Sequence, residues 1–264
     1  MRTLPAFLIV LLAAISPPAL AAGGEVVELR TAEVVVRGGG RIIEARGSVR
    51  ITDGRNTVHA GEAVFAVRER RIRLGAGVVV TSPEGTLKAA EAVVLLSGPR
   101  RLAGVEASGG VELHTGGRVL RAGRIRYLVD GPQAVASGRV SLLIPPDLVA
   151  SGEQLTLRGR RATLSGGAKF QNKDGTIEGD TIEVSDHDHV AQARGNVRST
   201  WQQTRISADA ATVHARDRTA IFRGRVIVTQ PGRTMRTAAL TVYYAERRMI
   251  AEGDTTIRLE EGGP

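Results

Sequence analysis

Apolar and polar residues alternate along this chain with a period of two, and the alternation is interrupted at regular intervals. Ile43, Ala45, Gly47, Val49 and Ile51 share one side of an extended segment, while Glu44, Arg46, Ser48 and Arg50 share the other. That pattern predicts a strand with one apolar and one wet face. Asp53-Gly54 then supplies a hairpin signal. Folding about it puts Val49 opposite Val58 and Gly47 opposite Ala60. A second turn at Glu69-Arg70 puts Val67 opposite Ile72, Phe65 opposite Leu74 and Ala63 opposite Ala76. The pattern therefore predicts antiparallel strand pairs.

The same phrase returns throughout the chain, most clearly from Ala193 to Val213. It reads small-x-Gly-x-Val, a polar turn, then aliphatic-x-Ala-x-x-small-x-Val. Its first anchor recurs at Gly47, Ala76, Gly109, Gly138, Gly166, Gly195, Gly224 and Gly253, 29 residues apart or within one of that except at the step into Gly109. In the second half of the phrase the apolar parity changes, because Val58 and Ala60 have one parity and Ala63, Phe65 and Val67 the other. A β-bulge at Gly61-Glu62 would absorb the surplus residue. The switch recurs after Ala89, Gly179, Ala208 and Thr237, with Asp209-Ala210 as the surplus in the Ala193–Val213 copy. If every second strand bends at one height, the sheet folds over there. The expectation is an all-β chain of about sixteen antiparallel strands of about eleven residues, arranged as eight hairpins in one continuous domain. Register is least constrained from Pro145 to Leu164, where Pro145-Pro146-Asp147 lets the spacing slip.

Composition agrees with a turn-rich sheet: Gly numbers 32 of 264 residues and aromatics reach only 3%. The N-terminus adds a location. Arg2, an apolar run from Ala6 to Ile15, Pro17-Pro18 and small residues at Ala19 and Ala21 read as a secretory signal cleaved after Ala21. The mature domain is then 22–264. With no cysteine, neither disulfides nor a lipid-attached N-terminus are expected. The net charge of +9, or +9 − 1 = +8 without Arg2, favours anionic partners such as phosphorylated lipid. Nucleic acid is not expected, since the basic residues are spread over every strand and the chain is exported.

A long sheet with one apolar face must close on itself, pack on another sheet or bind something. A Val-, Ala- and Gly-rich interior suits acyl chains; the other reading of the same residues is a plain core. The pairs Gly47/Ala60, Ala76/Ala89, Gly195/Ala208 and Gly224/Thr237 behind a secretory signal resemble the OstA-like family of lipopolysaccharide-transport proteins, from about Val26 to Leu259. The resemblance implies a V-shaped β-jelly roll in the periplasm that shields lipid A acyl chains and relays lipopolysaccharide from the inner to the outer membrane. On that reading the groove is lined by Val49, Ile51, Val78, Val80, Val111, Leu113, Val140, Leu142, Phe170, Val197, Val226, Val228 and Ile257. It further implies exposed edges at Val26 to Val36 and at Arg248 to Leu259. These would pair with related jelly-roll modules of inner- and outer-membrane transport proteins, or end to end with further copies of the chain. The family brings no cofactor and no catalytic residue. Longer Arg-rich turns, greater length and the Pro145-Pro146 interruption leave open whether the chain is a bridge protein or an anchored or outer-membrane paralogue.

Other features carry less. Asp186-His187-Asp188-His189 has the residue types of a metal site, but it falls at a hairpin tip where neighbouring side chains diverge, so a solvated turn is expected. His59, His114, His214 and Met235 have no ligand spacing, and Trp201 falls in a polar turn. No Ser/His/Asp array, phosphate loop or carboxylate pair in recognisable context is present, so an enzyme is not expected. The competing architecture is an exported parallel β-solenoid with a structural or adhesive role. The mirror pairing about the turns favours antiparallel strands over it.

Overall fold

The computed structural model describes residues 28–52, 56–97, 102–128, 133–185 and 189–259. The signal sequence, Val26, the Asp53-Gly54 turn and Asp186–Asp188 lie outside the described residues. The chain groups into two compact units, one formed by residues up to Leu142 with Thr156–Gly159, the other by Leu143–Leu155 and residues from Arg160 onward.

The N-terminal unit contains β1 (Glu28–Arg30), β2 (Glu33–Arg37), β3 (Ile42–Thr52), β4 (Thr57–Ala66), β5 (Arg71–Gly75), β6 (Val78–Ser82), β7 (Gly85–Ala89), β8 (Glu91–Leu96), β9 (Leu102–Thr115) and β10 (Arg118–Leu128). β11 (Gln133–Ile144) and β12 (Leu148–Arg158) have residues in both units. The C-terminal unit continues with β13 (Arg161–Asn172), β14 (Gly175–Ser185), β15 (Val190–Trp201), β16 (Thr204–His214), β17 (Thr219–Gln230), β18 (Arg233–Tyr243), β19 (Arg248–Glu252) and β20 (Thr256–Leu259). Every described strand is paired antiparallel where its register is defined. This all-β, antiparallel fold removes the parallel solenoid.

Twenty strands replace the expected sixteen because four long strands are each broken in two at the level of the bend. β1 and β2 both lie along β3, β5 and β6 along β4 at its two ends, β7 and β8 along β9, and β19 and β20 along β18. The apolar parity switch is real: Ala60 and Ala63, Ala208 and Ala211, and Thr237 and Leu240 are all buried. The surplus residue, however, is on the other strand. Val49 pairs with Ala60 and Arg46 with Glu62, so Gly47 and Ser48 together oppose Gly61. Likewise Val197 pairs with Ala208 and Arg194 with Ala210, leaving Gly195 and Asn196 opposite Asp209. The expected pair Val49–Val58 is off by two residues, as are those about Glu69-Arg70, where Phe65 meets Ile72 and Ala63 meets Leu74, and Gly47 lies in the bulge opposite Gly61 instead of pairing with Ala60. Val67 lies beyond the strand end and is exposed.

The reason is backbone geometry. All eight anchors have positive φ, from 56° at Ala76 to 91° at Gly253, and Ser48, Gly77, Asn196 and Arg225 are positive beside their anchors. Two successive left-handed residues turn the strand away from the sheet plane, and glycine reaches that region without a Cβ penalty. At Gly224 (φ 76°) a Cβ would also run into the Asp209 side chain. Gly224→Ala is expected to lower unfolding stability by about 1–3 kcal/mol. Exposed Ala76, the one anchor that is not glycine, is expected to respond oppositely. Relief of its left-handed strain outweighs the entropy cost of glycine, so Ala76→Gly should gain up to about 1 kcal/mol. Urea titration of the two variants checks both signs.

Candidate functional site

Within the C-terminal unit the bulges divide each long strand into two arms, and both arms turn their apolar faces to the same interior. One arm ends at the turns after residues 172, 201 and 230, the other at the turns after 214 and 243. Trp201 ends β15 with the inward parity of Val197 and Ser199, whereas Tyr244 follows β18 with the parity of Leu240 and Val242. The two residues belong to opposite arms, yet their rings meet edge to face, with centroids 5.6 Å apart at 86°. The arms of this unit therefore lie face to face, as in a β-jelly roll, with Phe222, Leu240 and Val242 fully buried between them. Such an aromatic pair contributes about 0.5–1.5 kcal/mol beyond its buried area. The sequence placed Trp201 in a polar turn; its partner is far along the chain, where no local pattern reveals it.

The interior is layered in cross-strand rows. One row runs Phe170, Ile177, Ser199, Ile206, Val228, Met235 and Ile257, each paired with the next across β13 to β18 and β20. It is apolar except for Ser199, whose hydroxyl donates to the Thr176 carbonyl at 3.0 Å. The next row toward the turns has the same inward parity but is polar: Asn172, Gly175, Trp201, Thr204, Gln230 and Arg233. Gln230 Nε2 donates to Thr204 Oγ1 at 2.8 Å, and Arg233 Nε donates to Gln230 Oε1 at 2.6 Å. The opposite arm ends instead on buried Ala215 and Tyr244. That end also carries polar groups, the Tyr244 phenol and His189, which has the inward parity of Ala191 and a buried Nδ1 without a partner among the described residues. Sequence reasoning missed the polar row; its signal was parity carried two residues past the last aliphatic position into what read as turns.

The N-terminal unit has a comparable apolar row, Ile51, Val58, Val80, Leu87, Leu113 and Leu120, continuous across β3, β4, β6, β7, β9 and β10. Of the residues expected to line a groove, Val49, Val78, Val111, Leu113, Val140, Leu142, Phe170, Val197, Val226 and Val228 are buried. Val49 and Val78 share one cluster with Ala45, Ala60, Ala63, Leu74 and Ala92, and half-buried Ile51 and Val80 pack against it. Ile257 is 59% exposed, because β20 pairs only with β18 among the described strands.

Charges stay outside. At the bulges Arg225 grips Asp209 with Nη2 at 2.6 Å and Nε at 3.1 Å, and Asn196 reaches Asp180 in the same way one repeat earlier. The Arg225 guanidinium holds the Asp209 carboxyl below its ordinary range. In the N-terminal unit, hydrogen bonds from His114 and Arg121 pull Glu112 down to about 2. These groups are exposed, so such pairs add little to stability.

Burial pushes the Tyr244 phenol up to about 12 from 10.0. The folded state holds that proton more tightly than the unfolded chain, so the contribution is complete below pH 10 and is lost as pH rises toward 12. Stability should fall over that window in the wild type and not in Tyr244→Phe, measured by denaturant unfolding at stepped alkaline pH.

Comparison with known proteins gives a local sequence match. Residues 205–261, from β16 to just past β20, match the family described as LptA/(LptD N-terminal domain) LPS transport protein. No curated protein matches the chain. Among solved structures, the chain aligns with LptH, the LptA homologous periplasmic component of the lipopolysaccharide transport device from Pseudomonas aeruginosa. That alignment has 10% identity, covers 67% of this chain and 96% of that one, and has a TM-score of 0.21, too low to argue from. The likeness first read from the repeats is thus matched by a family model over the C-terminal strands, and the chain resembles the OstA-like lipopolysaccharide-transport family.

Proposed function

We propose that this chain is a periplasmic lipopolysaccharide-binding transport protein that shields acyl chains on its apolar inward face and passes the lipid toward the outer membrane without catalysis. The observation that carries the reading is the row from Phe170 to Ile257: an aliphatic lane crosses seven strands and remains exposed where it reaches the edge. The family match over 205–261, which holds the row from Ile206 to Ile257, supports the same role.

The magnitudes allow a guest into an interior that is otherwise closed. Burying a chain of about twelve carbons contributes about 9 kcal/mol at ~0.8 kcal/mol per CH₂. Parting the Trp201–Tyr244 contact costs about 0.5–1.5 kcal/mol beyond the apolar area it re-exposes, which the guest's chain covers again. Few rings and many small aliphatic side chains give the guest no fixed register, so it slides along the rows.

Relay needs continuity between modules. β1 and β2 pair only with β3, and β19 and β20 only with β18, among the described strands. Leu29, Val34 and Val36 at one edge and Ile257 and Leu259 at the other are exposed. In our reading these edges add to related jelly-roll modules, or to further copies of the chain, so that the lane continues from one to the next.

Two measurements test this. A photoreactive residue in place of Phe170 should capture lipopolysaccharide, whereas one in place of outward-facing Arg205 should not; capture only from Arg205 would defeat the reading. Ile257→Asp with Leu259→Asp should shift concentrated protein toward the monomer in light scattering while leaving capture from Phe170 intact. An unchanged size distribution dominated by oligomers would show that this edge is not the contact.

A further inference from the structure

The polar row that ends the interior of the C-terminal unit has an uneven hydrogen-bond balance. Its acceptors are used internally. Asn172 Oδ1 accepts from the backbone N–H groups of Asp174 and Gly175, both at 3.0 Å. Gln230 Oε1 is taken by Arg233 and Thr204 Oγ1 by Gln230. Its donors are left over. Asn172 is 8% exposed and its Nδ2 is buried with no partner among the described residues. The Thr204 hydroxyl, having accepted, is free to donate, and Arg233 commits only Nε, to Gln230, with no carboxylate paired to it among the described residues. A buried amide N–H without a partner is costly, which makes this arrangement specific to an acceptor arriving from outside the chain.

The row's place decides what that acceptor is attached to. It lies one step beyond the aliphatic lane of Phe170, Ile206 and Val228, on the same inward face, so whatever meets the donors has an apolar portion directly behind it. The donors extend from β13 to β18, about 24 Å at ~4.8 Å per strand, which fits a broad head better than one small anion. In the N-terminal unit the hydroxyls at the matching level are already spent, Ser82 on the Gly85 carbonyl and Thr115 on the Glu84 carbonyl. Arg118 stands at that level with the inward parity of Leu120, so what sets the C-terminal unit apart is the unpartnered Asn172 amide.

We infer that Asn172, Thr204 and Arg233 form a head-group site: they hold the phosphate-bearing sugar head of an acylated lipid whose chains lie on the rows behind them. This rests on the lipid-binding reading above. The arginine selects phosphate over neutral acceptors, because a planar guanidinium gives paired, charge-assisted hydrogen bonds. Trp201, in the same row between Gly175 and Thr204, is placed to sense occupancy, and it is the only tryptophan in the chain.

The test is a Trp201 fluorescence titration of the full mature chain with lipid A, with dephosphorylated lipid A and with inorganic phosphate alone. Wild type should bind the phosphorylated lipid about tenfold more tightly than its dephosphorylated form, and Arg233→Gln should remove most of that difference while leaving dephosphorylated lipid unaffected. Asn172→Asp, which keeps the turn's acceptor and replaces the donor with a negative charge, should weaken the phosphorylated lipid selectively. Arg233 is exposed, so its replacement does not threaten folding. Equal affinity for the two lipids, or equal losses for both in Arg233→Gln, would overturn the head-group site and leave the apolar interior standing. Inorganic phosphate binding as tightly as the lipid would also overturn it. Failure of wild type to bind either lipid would instead sink the interior reading, and this site with it.

Discussion

The left-handed bulge is the constraint on which the rest of this molecule depends. A strand of eleven or twelve residues with strict alternation would make a flat ribbon with one greasy side, which aggregates or needs a second sheet. Here each Gly-containing strand spends two residues at positive φ, at Gly195-Asn196 and again at Gly224-Arg225, while its partner skips parity at Ala208–Ala211 or Thr237–Leu240. The two irregularities sit at one height, so neither face is lost. Inward residues stay inward on both arms, and the sheet supplies its own second layer. The Trp201–Tyr244 contact between opposite arms is the direct geometric result.

Much of this was legible in the sequence because it is written in a period. Antiparallel hairpins, the bend, the parity switch and most of the interior followed from alternation and from the recurrence of Gly47 through Gly253. The register did not. Parity locates the skipped residue on the partner strand, at Gly61-Glu62, and says nothing of a compensating surplus opposite it; only φ values show that Gly47 is the bulge itself and not an inward residue. A small residue fits both roles, so the letter alone cannot decide. The same limit hid the polar row. Asn172, Thr204 and Gln230 look like turn residues until the pairing shows that they continue the inward face. Ile257 keeps the right parity, but burial also requires a neighbouring strand, and β20 has one on a single side.

Charge follows a different rule from packing. The bulge leaves Asn196 and Arg225 pointing out, where they meet the acids one strand back, Asp180 and Asp209. Those contacts brace the outer side of the bend, and Arg225 offsets the charge of Asp209 there. Further positive charge lies at Arg198, Arg205 and Arg236 on the outer face of the arm that ends at the polar row. On the lipid-binding reading, an anionic lipid approaching that arm would meet favourable potential before any apolar contact forms, so charge would set the encounter and the interior retention.

A protein that passes a lipid onward must bind it well enough to keep it from water and loosely enough to let it move. A smooth aliphatic interior satisfies both conditions, because burial scales with area and is indifferent to register. It leaves one problem unsolved: a guest free to slide is equally free to reverse end for end. Directional groups placed only at one end of the rows remove that freedom without fixing the chains, since a hydrogen-bonded head defines orientation while the tails remain interchangeable. The closes of the two arms differ in kind, with Asn172, Thr204, Gln230 and Arg233 at one and Ala215, Tyr244 and His189 at the other, so on the lipid-binding reading the two ends of a guest meet different groups.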